Sequence, residues 1–411
     1  MNTKNTALRP IHPFPARMAP SIAQQRLRSR KKLRVLDPMA GSGTTLVAAR
    51  LYGHQAIGFD TDPLALVIAK AWSSNVNSKR IRLLAAEVSG AARKRYRNIS
   101  FRDAYPDESD PETREFVRFW FDPTNRRQLK ALSGEILRVS DPVERAFLWS
   151  AFSRLIVTKD AGVSLARDVS HSRPHRVYAI APIRPFERFK EAVESVLRAA
   201  HFASGNKLPS AIVRRGDARW LPLADNSIDL VITSPPYLNA IDYLRGHKLS
   251  LVWMGHRIKD IRALRSTSIG TESARNAVSD DRLSFAVRTM CDLDKLSEHS
   301  KDMLARYAHD MNAVISEVNR VLKPRGEAVI VIGNSTIRGV FVKNSSALTY
   351  LARANGLTLN STRRRPLLEN RRYLPPPGKK HSGRLLGSRM REEVILTFAK
   401  TARVTTGARR S

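Results

Sequence analysis

The sequence predicts an α/β protein: a doubly wound, Rossmann-like sheet with a mostly helical insertion. Three observations predict it. Residues 33–72 read as strand, glycine turn, helix, strand and helix; short apolar strands resume after residue 210; and the stretch between them repeats its apolar positions at helical spacing.

Residues 33–37 (LRVLD) form a short apolar strand, and GSGTTLVAARLYG turns from it into a helix that ends at Gly53. A second strand, QAIGFD (55–60), leads into a second helix, DPLALVIAKAW, with Asp62 as its cap and Pro63 at its first position. The pattern resumes with AIVRRGDA (211–218) and SIDLVITS (227–234). Over 301–322, Leu304, Tyr307, Met311, Val314, Val318 and Leu322 lie close to one helical face. KPRG is expected to stop that helix before the strand EAVIVIG (327–333). LTLNSTRR and EEVILTFAK are expected to close the sheet as an antiparallel pair.

Residues 75–207 are far too many for an ordinary crossover, so they read as an inserted subdomain. NRRQLKALSGEILRVS and VERAFLWSAFSRLI are two amphipathic helices, and Phe186, Phe189, Val193, Val196 and Leu197 stripe a third. DAYPDESDPE (103–112) reads as an acidic surface loop and VSHSRPHR (169–176) as a basic one. The expected organisation is 1–74 as an N-terminal motif and first half of the main domain, 75–207 as the insertion, 208–400 as the second half, and 401–411 as a basic tail.

The formal charge is +34, from 71 Lys and Arg against 37 Asp and Glu. Such an excess calls for a polyanionic partner, because cations that neutralise phosphates release condensed counterions. Hydrophobic residues at 42% describe a folded chain rather than a basic tail. The single cysteine, Cys291, excludes an internal disulfide and a cysteine-built zinc cluster, and it fits a reducing compartment. A cytoplasmic, nucleoid-associated protein is expected. No apolar run reaches the roughly 18 residues of a membrane span, so no membrane partner is expected. Ten histidines without HExxH or another paired spacing imply no metal.

VLDPMAGSGTT (35–45) is the first stretch that carries chemistry. Gly41 and Gly43 allow a close backbone approach to a ligand, and the following helix offers unpaired N–H groups. The third glycine of a dinucleotide fingerprint is missing, as is the Gly-Lys-Ser/Thr of a phosphate loop. A carboxylate at the mouth of the turn, Asp37, would repel a pyrophosphate and suits a cation such as the ammonium or sulfonium of S-adenosylmethionine. Asp60 closes the second strand, where an acid can accept from ribose hydroxyls, and Asp217 ends the third, where it could accept from an adenine amino group.

The stretch ITSPPYLNAIDY (232–243) follows the fourth strand. Pro235 and Pro236 hold the backbone extended and offer carbonyls without competing donors; Ser234 adds an acceptor and Tyr237 a flat face. Together they suit a planar base with an exocyclic amino group, which a duplex would have to flip out of its stack.

DPMAGSGTT followed by TSPPY resembles the amino-methylating DNA methyltransferases, the N4-cytosine and N6-adenine enzymes of restriction-modification systems and their solitary relatives. HPFPARMAP (12–20) is similar to their N-terminal cofactor motif, and the resemblance continues through SPPYLNAIDYLRGHKLSLVWMG and VLKPRGEAVIVIGNS. It implies a class I methyltransferase sheet, S-adenosylmethionine held by Phe14, Asp37, Pro38, Gly41, Gly43, Asp60 and Asp217, and a target base held by Ser234, Pro235, Pro236 and Tyr237. Phe14 would lie against the methionine portion of the cofactor. Double-stranded DNA is the implied partner, with a cognate restriction endonuclease as a further one. A serine before Pro-Pro-Tyr favours cytosine N4 over adenine N6. Chemistry at cytosine C5 would need a cysteine after a proline, and Cys291 sits in TMCDL. An RNA base methyltransferase and a non-catalytic nucleic-acid binder are the other readings. The base-reading segment is expected in 75–207, with 238–300 as the alternative, and the basic stretch 361–384 is expected to track phosphates.

Overall fold

Most of the predicted elements form where the sequence places them. The computed structural model describes residues 8–15, 17–28, 30–200, 208–209, 211–238, 242–270, 280–367 and 392–401. Most of the basic stretch 361–384 and nearly all of the tail 401–411 therefore lie outside the described residues. In chain order the strands are β1 (Arg34–Asp37), β2 (Gln55–Asp60), β3 (Ala166–Arg167), β4 (His175–Arg176), β5 (Ile212–Arg215), β6 (Ile228–Thr233), β7 (Leu322–Gly333), β8 (Ser335–Ile337), β9 (Val340–Val342), β10 (Leu357–Pro366) and β11 (Glu392–Lys400). They fall into two compact units.

The first unit takes its described residues from 1–32, 40–215 and 241–268. β2 and β5 pair in parallel, from Ile57 opposite Ile212 to Asp60 opposite Arg215. Helix Thr44–Leu51 packs on β2 so closely that a Cβ on Gly58 would stand 2.6 Å from Leu46 Cδ1. The helix stops where Gly53 takes φ +79°, the conformation in which the last carbonyls turn back to accept the N–H groups of Gly53 and His54.

Asp-Pro pairs punctuate this unit. Helices Pro63–Trp72, Pro111–Trp120, Pro123–Leu137 and Pro142–Ile156 each begin with a proline that has no N–H to strand, behind an aspartate that caps. Asp62, Asp110, Asp122 and Asp141 accept the otherwise orphaned donors. Helices Ser78–Tyr96 and Pro185–Ala200 complete the helical set expected over 75–207. Helix Pro142–Ile156 is covered nearly all round, from Ala146 to Ser153, because helices Pro63–Trp72 and Pro185–Ala200 both pack against it. Its Phe147, Trp149 and Phe152 each remove enough apolar surface from water to stabilise the unit by about 2 kcal/mol or more.

The second unit takes its described residues from 33–39, 216–240 and 269–411. Its strands lie in the order β10-β11-β7-β6-β1. β1, β6 and β7 are parallel, and β11 runs antiparallel to both β7 and β10, which is the closing pair expected. Helix Glu298–Val321 carries the crossover from β6 to β7 and buries Leu304, Tyr307, Met311, Val314 and Val318 on one face. Leu322, expected on that stripe, is instead the first residue of β7.

KPRG also differs from expectation. It lies within β7 as an irregularity, where the register with β6 jumps from Ile228 opposite Leu322 to Leu230 opposite Glu327. Arg325 takes φ +65°, and a Cβ on Gly326 would meet the Lys323 carbonyl at 2.8 Å. A tight bend of that kind needs glycine. No helix among the described residues is long and apolar enough to cross a membrane.

Candidate active site

In the first unit the glycine turn is built from both sides. Asp60, at the end of β2, accepts the Gly41 N–H at 2.7 Å with one oxygen and the Asp62 N–H at 2.9 Å with the other. Gly41 and Gly43 take φ +50° and +90°. Gly43 has a second reason to be glycine, because a Cβ there would stand 3.0 Å from Ala69 Cα in the neighbouring helix. Between them Ser42 is buried, and its hydroxyl has no hydrogen-bond partner. A buried hydroxyl left unmatched is costly, so this one suits a polar ligand at the turn.

Phe14 packs over the same turn, its ring 3.5 Å from where a Gly41 Cβ would stand. Tyr243 stacks on Phe14 at 5.7 Å, and the His247 ring lies 4.9 Å away. His247 is fully buried and donates from Nδ1 to Asp62 at 2.6 Å, while its Nε2 has no partner. His12 bonds Ser153 at 3.0 Å, and burial, reinforced by His247, Arg154 and Arg17, holds its pKa well below the usual imidazole value.

In the second unit Asp37 ends β1 as expected and is buried, with Pro38 buried beside it in the chain. Asp37 accepts the Thr233 hydroxyl at 2.7 Å and the Met39 N–H at 3.2 Å, which braces the end of β6 where Ser234 begins. Ser234 donates to the Tyr237 hydroxyl at 3.3 Å, and Tyr237 donates to Glu393 at 3.1 Å. Arg365 holds the other Glu393 oxygen at 2.5 and 3.1 Å. Pro235 is buried, and the Pro236 carbonyl accepts from the Tyr307 hydroxyl at 3.2 Å. Burial raises the Tyr307 phenol's pKa, so it stays a donor.

Asp217 differs from expectation in its surroundings. β5 stops at Arg215, and Asp217 lies beyond it, bridged to Trp220. Its carboxylate is forked by Arg219, with Nη2 at 2.6 Å and Nε at 3.0 Å, and Arg219 also reaches Asp310 at 2.6 Å. These two acids raise the already high pKa of Arg219 further.

No family model matches the chain. It is 24% identical over 383 residues to the type II methyltransferase M.MvaI of Kocuria varians, spanning 85% of this chain and 82% of that protein. With M.BsoBI of Geobacillus stearothermophilus, also a type II methyltransferase, it shares 24% over 332 residues, 71% of this chain and 60% of the relative. With the type II methyltransferase M.AvaI of Nostoc sp. it shares 23% over 419 residues, 87% of this chain and 78% of the relative. The chain is thus similar along most of its length to type II methyltransferases. A solved SAM-dependent methyltransferase from Methanosarcina mazei aligns over 94% of this chain and 99% of that one, at 9% identity and a TM-score of 0.32, too loose to add to the fold described above.

Three residues of this candidate site escape sequence reasoning. Glu393 is the second residue of an apolar strand and Tyr307 sits in an amphipathic helix, so each looks like an edge or core residue until its partner is seen. For His247 a faint signal exists: it follows Tyr243 at i+4 and so shares its helical face.

Proposed function

We propose that this chain is a site-specific DNA methyltransferase that moves a methyl group to the exocyclic amino nitrogen of a flipped base, with cytosine N4 favoured. The direction of the Ser234–Tyr237–Glu393 chain carries this reading. A carboxylate can only accept, so Tyr237 must donate to Glu393 and the Tyr237 oxygen must accept from Ser234. The Ser234 hydrogen is thereby committed, and its lone pairs are left to accept from an amino group. Arg365 donates to the other Glu393 oxygen, which polarises the whole chain toward that role.

The residues around the glycine turn fit the donor. Phe14 and the Ser42 hydroxyl would hold S-adenosylmethionine, Gly41 and Gly43 would give it room, and Asp60 would face its hydroxyls. When bound, it supplies an electrophilic methyl group on a sulfonium. Ser234 and the Pro235 carbonyl would accept the two amino hydrogens, favour a pyramidal nitrogen and aim its lone pair. Tyr237 would present its ring to the base, and Tyr307, holding the Pro236 carbonyl, would keep the turn in shape. The amino nitrogen held by Ser234 and the Pro235 carbonyl would be the acceptor of that methyl group, and its surplus proton would pass to water. No covalent enzyme intermediate is required.

Labelled S-adenosylmethionine incubated with the protein and with DNA or total RNA, followed by nucleoside mass spectrometry, tests this. N4-methylcytosine in DNA is expected. N6-methyladenine would keep the class and reverse the serine argument, and label confined to RNA would overturn the substrate.

A further inference from the structure

On the first unit, one face carries a row of aromatic rings flanked by cations. Helix Tyr243–Leu251, which follows the Pro-Pro-Tyr turn in the chain, is capped by Asp242, and the same carboxylate faces Arg245 at 3.5 Å and Arg265 at 2.9 Å. Arg262 pairs with Glu112 and joins helix Ile258–Thr267 to helix Pro111–Trp120. Lys248 lies 5.1 Å from the Phe116 ring centre, Phe116 packs on Trp120 at 6.3 Å, and Trp120 packs on Phe119 at 4.8 Å. Arg176, on β4, covers Phe119 at 5.1 Å. The row is therefore continuous from Lys248 to Arg176.

Three features separate this face from the general positive charge of the chain. First, its cations are crowded: burial foremost, and then Arg265, Arg245 and Arg262, lower the pKa of Lys248 against the pull of Asp242. Second, Phe119 is 48% exposed in the middle of it, where an aromatic ring gains nothing from water. Third, its parts are locked together. A Cβ on Gly246 would stand 2.6 Å from the Val169 carbonyl, so this helix sits directly on the turn between β3 and β4. That turn holds Asp168 and Ser172 at φ +60° and +56°, strain of the kind kept where a surface must have one shape.

We propose that this face is where duplex DNA docks, with Arg176, Arg245, Arg262 and Arg265 on phosphates and Phe119 against the sugars. The proposal rests on the DNA reading above. It assigns positioning to these residues and leaves the choice of sequence to others.

Binding of the full chain to a labelled mixed-sequence duplex across a salt series tests it, with an RNA competitor alongside. An Arg176→Ala/Arg262→Ala/Arg265→Ala variant should bind about tenfold or more weakly. Its plot of log affinity against log salt should be shallower by about 2 to 3, since each phosphate contact contributes about 0.9 to that slope. Cofactor binding and kcat at saturating DNA should be unchanged. Phe119→Ala should weaken binding at an unaltered slope. A Lys79→Ala/Lys94→Ala/Arg97→Ala variant, which removes exposed cations of helix Ser78–Tyr96 and its cap, should behave as wild type. An unaltered slope in the first variant, an equal loss in the control, or stronger binding of RNA than of duplex would overturn the proposal. A wild-type protein that neither binds nor methylates DNA would instead defeat the functional reading itself.

Discussion

His247 and Asp62 are joined at 2.6 Å in a buried hydrogen bond, and through it a helix that follows the Pro-Pro-Tyr turn in the chain is tied to the glycine turn. The connection continues from the Asp62 N–H to Asp60, and from Asp60 to the Gly41 N–H. His247→Leu keeps most of the bulk against Phe14 and deletes the first bond. A loss of about 2 kcal/mol is expected in chemical denaturation, together with weaker S-adenosylmethionine binding by calorimetry. A wild-type cofactor affinity would show that the relay does not shape the turn.

Gly43→Ala places a methyl group 3.0 Å from Ala69 Cα at a backbone φ of +90°. Both strain and overlap act against it, so a destabilisation of about 1 to 3 kcal/mol is expected. Gly53→Ala has the same strain but open space, and should cost less. Thermal melting of the two variants side by side separates the terms.

Ser234→Ala removes an acceptor that the Tyr237–Glu393 chain orients. Transfer is expected to fall about a hundredfold or more in single-turnover assays, with cofactor binding intact. Tyr237→Phe keeps the ring and frees the serine hydroxyl to rotate; a fall of about tenfold is expected. Equal loss of transfer and of cofactor affinity in both variants would sink these roles.

His12 makes stability depend on pH in one direction. Its pKa is 6.5 in a free chain and lies well below that in the folded protein, chiefly because of burial. The unfolded chain therefore binds more protons between those two values, and stability rises with pH across that window. The effect is absent above 6.5 and grows as the pH falls toward the folded pKa. Denaturation midpoints from pH 7 to pH 5 should decline less steeply in His12→Gln than in wild type; parallel curves would contradict the assignment.

Much of this molecule was legible because its signals are local. The strand QAIGFD, the Asp62-Pro63 cap and the antiparallel β10–β11 pair depend on neighbours in sequence: alternating or continuous apolar runs, an aspartate that reaches its own helix, and a proline that cannot donate. The glycine turn and the Pro-Pro-Tyr turn were legible for the same reason, because backbone conformation there is set by glycine and proline themselves. The start of β7 was misplaced because KPRG has the composition of a stop. Only pairing with β6 turns it into an irregularity inside a strand.

What the sequence by itself determined is the fold class, the order of the elements and the two motifs that carry the resemblance. Tertiary structure decided which polar groups answer one another across long stretches of chain: Glu393 to Tyr237, Tyr307 to Pro236, His247 to Asp62 and Arg219 to Asp310. The reason is physical. A cap or a tight turn is satisfied within a few residues, whereas a buried donor must find its acceptor wherever packing brings one, and that choice leaves no period or spacing to read.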